Sequence, residues 1–265
     1  MTDLLTNYDP ITLEEMSGIR LMNRTDTKFV TTVPELQRLL QLAREDYRVQ
    51  EIGGRRIAPY YTMYFDTPDD EMYRIHQAGH TNRQKLRIRS YVDSRLNFLE
   101  VKTKNNHGRT KKKRTEMLGF DPLHPDLLLR FGHPDAHSEE YDEFLSHYLR
   151  YRPETLSPKL ENRFRRITLV NKQKTERLTI DTDLAFRNLI TGQERALGGL
   201  AIIELKRDGL QPSPILELLN RLRIKPLGFS KYCMGMAMTN EGLPRNRFKP
   251  RLMTLRKLMG APRNY

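Results

Sequence analysis

Lys85-Leu86-Arg87-Ile88-Arg89 is the stretch that decides the fold. A β-strand turns alternate side chains to opposite faces. Lys85, Arg87 and Arg89 therefore share one face, and Leu86 and Ile88 the other. The same alternation recurs in Glu100-Val101-Lys102-Thr103-Lys104 and in Glu204-Leu205-Lys206. A sheet built from such strands has one apolar face and one ionic face. The ionic face is mainly cationic, with a few fixed carboxylates. That chemistry suits a polyanion held together with a divalent metal.

Working outward, Asn23-Arg24-Thr25-Asp26-Thr27-Lys28-Phe29-Val30 reads as a strand with Arg24, Asp26 and Lys28 on one face. Thr32-Val33-Pro34-Glu35 signals a helix start, with proline in the first turn, where no acceptor is missed. Leu36, Leu39, Leu40 and Ala43 follow at helical spacing, as a core stripe. Gly53-Gly54 marks a turn, and residues 60–65 form an aromatic-rich strand. Thr67-Pro68-Asp69-Asp70 opens a short helix. Strands at 85–92, 97–104 and roughly 111–118 follow, with a hairpin turn at Asp93-Ser94, and so form an antiparallel meander. A helix is expected over 138–149, strands over 160–170, 177–186 and 200–206, and helices over 214–222 and 230–238, the first of these capped by Ser213. From Pro244 the chain is dense in Arg and Lys with little periodicity, and reads as a flexible or peripheral basic tail. Residues 1–240 are expected to form one domain and 241–265 the tail. The order of elements predicts an α+β fold: an antiparallel β-barrel tunnel of about eight strands with flanking helices.

Composition agrees with an anionic partner. The 265 residues carry 46 Lys+Arg against 33 Asp+Glu, a formal net charge of +13. Such an excess points to nucleic acid, phosphorylated molecules, polyphosphate or a membrane surface. Hydrophobic residues make up 37% of the chain, enough for a packed core. The single cysteine, Cys233, excludes an intramolecular disulfide and a cysteine-based zinc site. Residues 1–10 lack an apolar run, and no stretch reaches the ~18 apolar residues that span a bilayer. A cytoplasmic location is expected.

Glycine-rich phosphate loops of the G-x-x-x-x-G-K and G-x-G-x-x-G types are absent, which leaves P-loop and dinucleotide folds unsupported. The histidines show no H-E-x-x-H spacing, and His124, His133 and His137 read as surface residues. An antiparallel sheet with one solvated face also alternates charged and apolar residues. Such a face mixes signs, however, whereas here Arg and Lys dominate. Closed with this face inward, the sheet would hold a positive interior, stable only with water and anions inside.

Taken in order, these motifs resemble the polyphosphate polymerase domain of the vacuolar transporter chaperone (VTC) complex. That family lies in the triphosphate tunnel metalloenzyme superfamily, with the CYTH phosphatases and cyclases. The resemblance spans roughly residues 22–238. It rests on Arg24 to Val30, Lys85 to Arg89, Phe98-Leu99-Glu100-Val101-Lys102, Asn162-Arg163, Arg177 to Asp183, Ile203-Glu204-Leu205-Lys206 and Phe229-Ser230-Lys231-Tyr232. The resemblance implies an eight-stranded tunnel in which Lys28, Arg87, Arg89, Lys102, Arg163, Arg177 and Lys231 hold phosphates. It implies that Glu204 holds Mn2+ or Mg2+, and it adds a lysine from the strand at Lys111-Lys112-Lys113, assigned to Lys113. Arg24, Lys85, Lys104 and Lys206 are further substrate-binding candidates, and Glu100 is a second metal candidate. Where CYTH enzymes begin E-x-E-x-K, this chain has Arg24-x-Asp26-x-Lys28. That exchange weakens metal binding, strengthens phosphate binding and favours the polymerase branch. The regulatory SPX domain and membrane helices of eukaryotic members are not among these residues, as in a stand-alone, bacterial-type version.

Three functions are open on this reading. One is transfer of the γ-phosphoryl of ATP to polyphosphate. Another is hydrolysis of tripolyphosphate or an organic triphosphate, with Glu100, Asp181 or Glu204 as base. The last is non-catalytic binding of polyphosphate, inositol phosphates or nucleic acid. Nucleic acid is disfavoured, because only Tyr91 and Phe98 stand amid the charged strands and there is no tryptophan.

Overall fold

A computed structural model describes residues 1–17, 24–122, 139–209 and 211–260. The expected sheet is present. Eight strands run side by side: β2 (Arg24–Thr32), β11 (Leu200–Asp208), β9 (Glu176–Asn188), β8 (Ser157–Asn171), β4 (Ala58–Asp66), β5 (Arg83–Tyr91), β6 (Leu96–Lys104) and β7 (Thr110–Glu116). Each is antiparallel to its neighbours. Three short strands that the alternation does not reveal extend the sheet. β3 (Tyr47–Gln50) pairs with β8, β1 (Asp9–Ile11) pairs with β3, and β10 (Glu194–Ala196) pairs with β9.

The two faces separate as the period of two requires. One is apolar and covered by helices. Leu169, Ile167, Leu178, Ile180, Ile203 and Leu205 pack against α1 (Thr2–Thr6), α3 (Val33–Ala43) and α6 (Pro214–Arg221). The stripe Leu36, Leu39, Leu40 and Ala43 is buried as predicted. The Thr32 and Ser213 hydroxyls accept from the first-turn amides of Glu35 and Leu216, the N-cap role that their residue types favour. Farther round the sheet, Met63, Phe65, Leu86, Ile88, Leu99 and Val101 pack against α5 (Glu139–Tyr148).

The opposite face is ionic along most of its length and apolar at one end. There Val30, Ile202, Leu160, Phe186 and Tyr64 pack against α7 (Lys231–Thr239). α7 is held by Asp66, whose carboxylate accepts from the Tyr232 hydroxyl and, at 2.9 Å each, from the Met72 and Tyr73 amides that open α4 (Glu71–Ala78). One end of the interior is thereby filled by a helix.

Not every expectation holds. The basic stretch beyond Pro244 contains a further helix, α8 (Lys249–Leu258), seated through buried Phe248 and Leu255. Leu252, Leu255 and Leu258 recur at every third residue and pack on the same cluster, a short helical period that the surrounding basic residues mask. The loop with Leu127-Leu128-Leu129 and His124, His133 and His137 lies outside the described residues.

Gly235 sets the fit of α7. A Cβ there would stand 2.5 Å from Leu160 Cδ2 and 2.6 Å from Phe186 Cδ1. On helix propensity alone, Gly235→Ala would gain up to about 1 kcal/mol. Overpacking against two buried neighbours outweighs this, at about 1–3 kcal/mol. Urea denaturation should show Gly235→Ala less stable than the parent. A more stable variant would mean that α7 sits loosely.

Candidate functional site

The register brings the predicted cations together. Lys28 on β2 stands opposite Glu204 on β11, and Lys206 stands between Asp26 and Arg177. Across β5 and β6, Arg87 faces Glu100 and Lys85 faces Lys102. These groups meet across the interior, because Lys102 feels the charges of Lys28 and Glu204 from the far wall. β2 and β6 are not neighbours in the sheet, so the sheet curls into a tunnel with its ionic face inward.

Three carboxylates organise this face, each held by at least two cations. Glu100 is fully buried. Its Oε2 accepts from Arg87 Nε at 2.7 Å and its Oε1 from Lys112 Nζ at 3.0 Å. Asp181 accepts a bidentate pair from Arg166, at 2.6 and 2.8 Å, and a further bond from Lys231 at the start of α7. Glu204 lies 3.6 Å from Lys28 Nζ and 3.2 Å from Lys206 Nζ, with Thr179 Oγ1 at 3.5 Å. Of the three, its side chain is the most open, at 20%.

Burial alone would raise all three carboxyl pKa values. The surrounding cations reverse that: Arg87, Arg89 and Lys112 hold Glu100 low, Arg166 and Lys231 hold Asp181 low, and Lys28 and Lys206 hold Glu204 low. The cations respond in the opposite sense. Dehydration, and then the like charges of Lys28 and Arg87, push Lys102 down to about 7. Its side chain still reaches water, so the like-charge repulsion is the firmer cause. Dehydration takes Lys206 and Lys231 down to about 8 against the pull of Glu204 and Asp181. Lys85 and Arg89 are also depressed by dehydration. Lys85 donates to Ser230 Oγ at 2.7 Å, and Arg89 Nε is buried without a partner. This interior is short of negative charge and has donors to spare.

Two expected residues face elsewhere. Arg163 pairs with Tyr61 and Ala185 on the outer side and is exposed, its guanidinium 5.5 Å from the Tyr61 ring. Arg166 stands inside instead, in phase with Phe164 and Thr168. β8 is apolar in both phases, Phe164 and Val170 in one and Ile167 and Leu169 in the other, so alternation could not decide. Lys113 is opposite Val101 on the outer side, 5.2 Å from the Tyr148 ring, whereas Lys112 is opposite Lys102 and reaches Glu100. In Lys111-Lys112-Lys113-Arg114 every residue is basic, so no phase could be read. Lys104 is half-buried opposite Arg83, toward the α7 end. Arg24 begins β2, and its side chain lies outside the described residues. No described helix is long and apolar enough to cross a membrane.

Comparison with known proteins agrees with this geometry. The structure resembles a putative adenylate cyclase from Bacillus halodurans, with 17% identity and a TM-score of 0.51, over 79% of this chain and 96% of that one. It also resembles a putative adenylyl cyclase from Hippeastrum described as having a dominant triphosphatase activity, with 16% identity and a TM-score of 0.51, over 85% and 99% of the two chains. At these identities the likeness shows the fold, the many-stranded antiparallel tunnel with flanking helices. No curated protein sequence matches the chain. The model of the VTC domain matches residues 23–240, most of the length, and the chain belongs to the VTC domain family.

Proposed function

We propose that this protein is a metal-dependent phosphotransferase that lengthens inorganic polyphosphate with the γ-phosphoryl of ATP. One observation carries the reading: the tunnel holds Lys28, Lys85, Arg87, Arg89, Lys102, Arg166, Lys206 and Lys231 around three carboxylates that are all engaged already. A chain of phosphates supplies the missing negative charge, and membership of the VTC family supports a triphosphate-processing tunnel.

A divalent ion suits this donor set in one way. No group of three or more His, Cys, Asp or Glu gathers among the described residues. Glu204, the most open carboxylate, would therefore share the ion with phosphate oxygens of the substrate. Mn2+ or Mg2+ held there supplies neutralisation of phosphate charge. Glu100 has both oxygens committed to Arg87 and Lys112 and is the weaker candidate.

The chain's own residues position and neutralise. Phosphoryl transfer needs little covalent chemistry from the protein. Arg87 and Arg89 present guanidinium forks that match phosphate oxygens, and Lys28, Lys102 and Lys206 add point charges. A terminal oxygen of the acceptor chain attacks the γ-phosphorus. The bond to the β–γ bridging oxygen breaks, and ADP leaves with that electron pair. Hydrolysis would need a carboxylate free to take a proton from water. Asp181 and Glu100 are tied by two cations each, and the tunnel cations hold Glu204 ionised at low pKa. That favours transfer over hydrolysis.

Incubation with ATP and Mn2+ should give long polyphosphate chains on a gel. Release of orthophosphate alone would support the triphosphatase reading instead. Glu204→Gln keeps the size and removes the charge, and turnover should fall by at least ~100-fold, while circular dichroism shows the chain still folded, though with a lower melting temperature because Lys28 and Lys206 lose their shared partner. Near-normal turnover in Mn2+ would remove Glu204 from the site.

Lys102, Lys206 and Lys231 give a pH signature. Their folded values, about 7, about 8 and about 8, lie below the ordinary 10.5. Between those limits the unfolded chain binds more protons than the folded one, so stability without ligand should rise with pH across that window. A bound polyanion favours the ammonium forms and raises these values. Calorimetry of tripolyphosphate binding near pH 8, in two buffers of different ionisation enthalpy, should show net proton uptake. Proton release would mean that the lysines already titrate normally.

A further inference from the structure

Arg87 and Arg89 share one strand and one face, yet they are held differently. Arg87 places Nε and Nη2 on Glu100 Oε2, at 2.7 and 2.6 Å. That fixes its guanidinium and leaves only part of its fork for a substrate. The Arg89 side chain has neither an ion pair nor a hydrogen bond among the described residues, and its Nε is buried. A long side chain held by nothing must be ordered at each binding event, which costs affinity.

The neighbours of Arg89 supply what is missing. Residues directly opposite in antiparallel strands share a face, with Cβ atoms about 4.5–5.5 Å apart. Arg89 on β5 is opposite Thr62 on β4, and Thr62 is opposite Asn162 on β8. Thr62 and Asn162 are fully buried, and Thr62 Oγ1 and Asn162 Oδ1 also lack hydrogen-bond partners. The amide of Asn162 is fixed, because its Nδ2 donates to the Ala185 carbonyl at 2.9 Å and the Arg163 carbonyl at 3.4 Å, leaving Oδ1 as an unused acceptor. One rung of the inner face thus carries a donor, a hydroxyl and an acceptor side by side, all three unmet. Buried polar groups are costly to leave so, and here each complements the next. In the inward series of β4, Thr62 stands between Tyr60 and Tyr64, and in that of β8, Asn162 stands between Leu160 and Phe164. Two short side chains among longer ones leave room at this rung.

We propose that the rung binds one water molecule, which accepts from Arg89 Nε, donates to Asn162 Oδ1 and bonds the Thr62 hydroxyl. About three hydrogen bonds are typical of a buried water. Thr62 and Asn162 are positioning residues that act through this water. They lock Arg89 by its Nε, turn both Nη groups to the lumen, and make Arg89 rather than Arg87 the preset phosphate clamp. The inference rests on the reading of the tunnel as a phosphate site and adds how one of its arginines is aimed.

Calorimetric titration of the full chain with tripolyphosphate tests this through double-mutant cycles. Thr62→Val keeps the shape and loses the hydroxyl, and Asn162→Leu keeps the size and loses the amide. Each should weaken binding by roughly 5-fold, the value of one hydrogen bond. Thr62→Ser should bind within about twofold of the parent. Arg89→Lys is the discriminating background, because it keeps the charge but puts a methylene where Nε stands. In that background Thr62→Val and Asn162→Leu should cost nothing further. Circular dichroism checks folding, and where either variant is unfolded, Thr62→Ala or Asn162→Ala takes its place and must give the same pattern. An equal loss in both backgrounds, no loss in the parent background, or failure of Thr62→Ser to restore binding overturns the proposal and leaves the tunnel reading standing. A parent chain that fails to bind tripolyphosphate overturns both.

Discussion

Everything in this fold answers to one electrostatic constraint, the enclosure of more positive than negative charge. Two unit charges 4 Å apart repel by about 4 kcal/mol at an effective dielectric near a protein surface, and by more where water is excluded. The chain meets this with shared carboxylates. Asp181 holds Arg166 and Lys231, Glu100 holds Arg87 and Lys112, and Glu204 lies between Lys28 and Lys206. Each carboxylate links cations from different strands or from the plug helix, so the same bonds that offset repulsion also fix the curl of the sheet. Lys85, Arg89 and Lys102 are left with depressed pKa values. These three cations stand together on the β5–β6 wall.

α7 ties the site to the core. Its first residue, Lys231, binds Asp181, and its cap, Ser230, accepts from Lys85. The next residue, Tyr232, binds Asp66, and one turn on Gly235 leaves no room for a Cβ against Leu160 and Phe186. A displacement of this helix moves a cation of the site and opens a packed layer together. Precision of this kind suits a reaction that depends on holding phosphates in line, where a misplacement of about 1 Å can cost on the order of 100-fold in rate.

The sheet was legible in the sequence wherever one phase of a strand is charged and the other apolar. β5 is the clearest case, and its inward set Lys85, Arg87 and Arg89 stands where alternation puts it. Legibility failed where the two phases are alike. β8 is apolar in both, so alternation could not correct the resemblance, which put Arg163 inside and passed over Arg166. β7 is basic in both, which chose Lys113 over Lys112. Pairing would have resolved each, since a residue opposite Tyr61 or Val101 must face outward, but pairing is a long-range property that a local period does not contain. The short strands β1, β3 and β10 were missed for a related reason, being too brief to show any period. α8 did carry a local signal, Leu252, Leu255 and Leu258 at helical spacing, but Lys249, Arg251, Arg256 and Lys257 around them made the stretch read as a basic tail.

A tunnel of this shape does not by itself choose a reaction, since one fold hosts several chemistries. The Hippeastrum protein shares the fold and is described as a triphosphatase. What distinguishes outcomes is the state of the carboxylates. A hydrolase must take a proton from water, and a carboxylate does so best with a pKa near the working pH. In this tunnel, cations drive Glu100, Asp181 and Glu204 the other way, which makes them poor bases and good fixed charges. A phosphate oxygen of an acceptor chain already carries its negative charge and needs no base to attack. On the proposed reading, the charge that makes this interior a phosphate site also suits a phosphate nucleophile better than water.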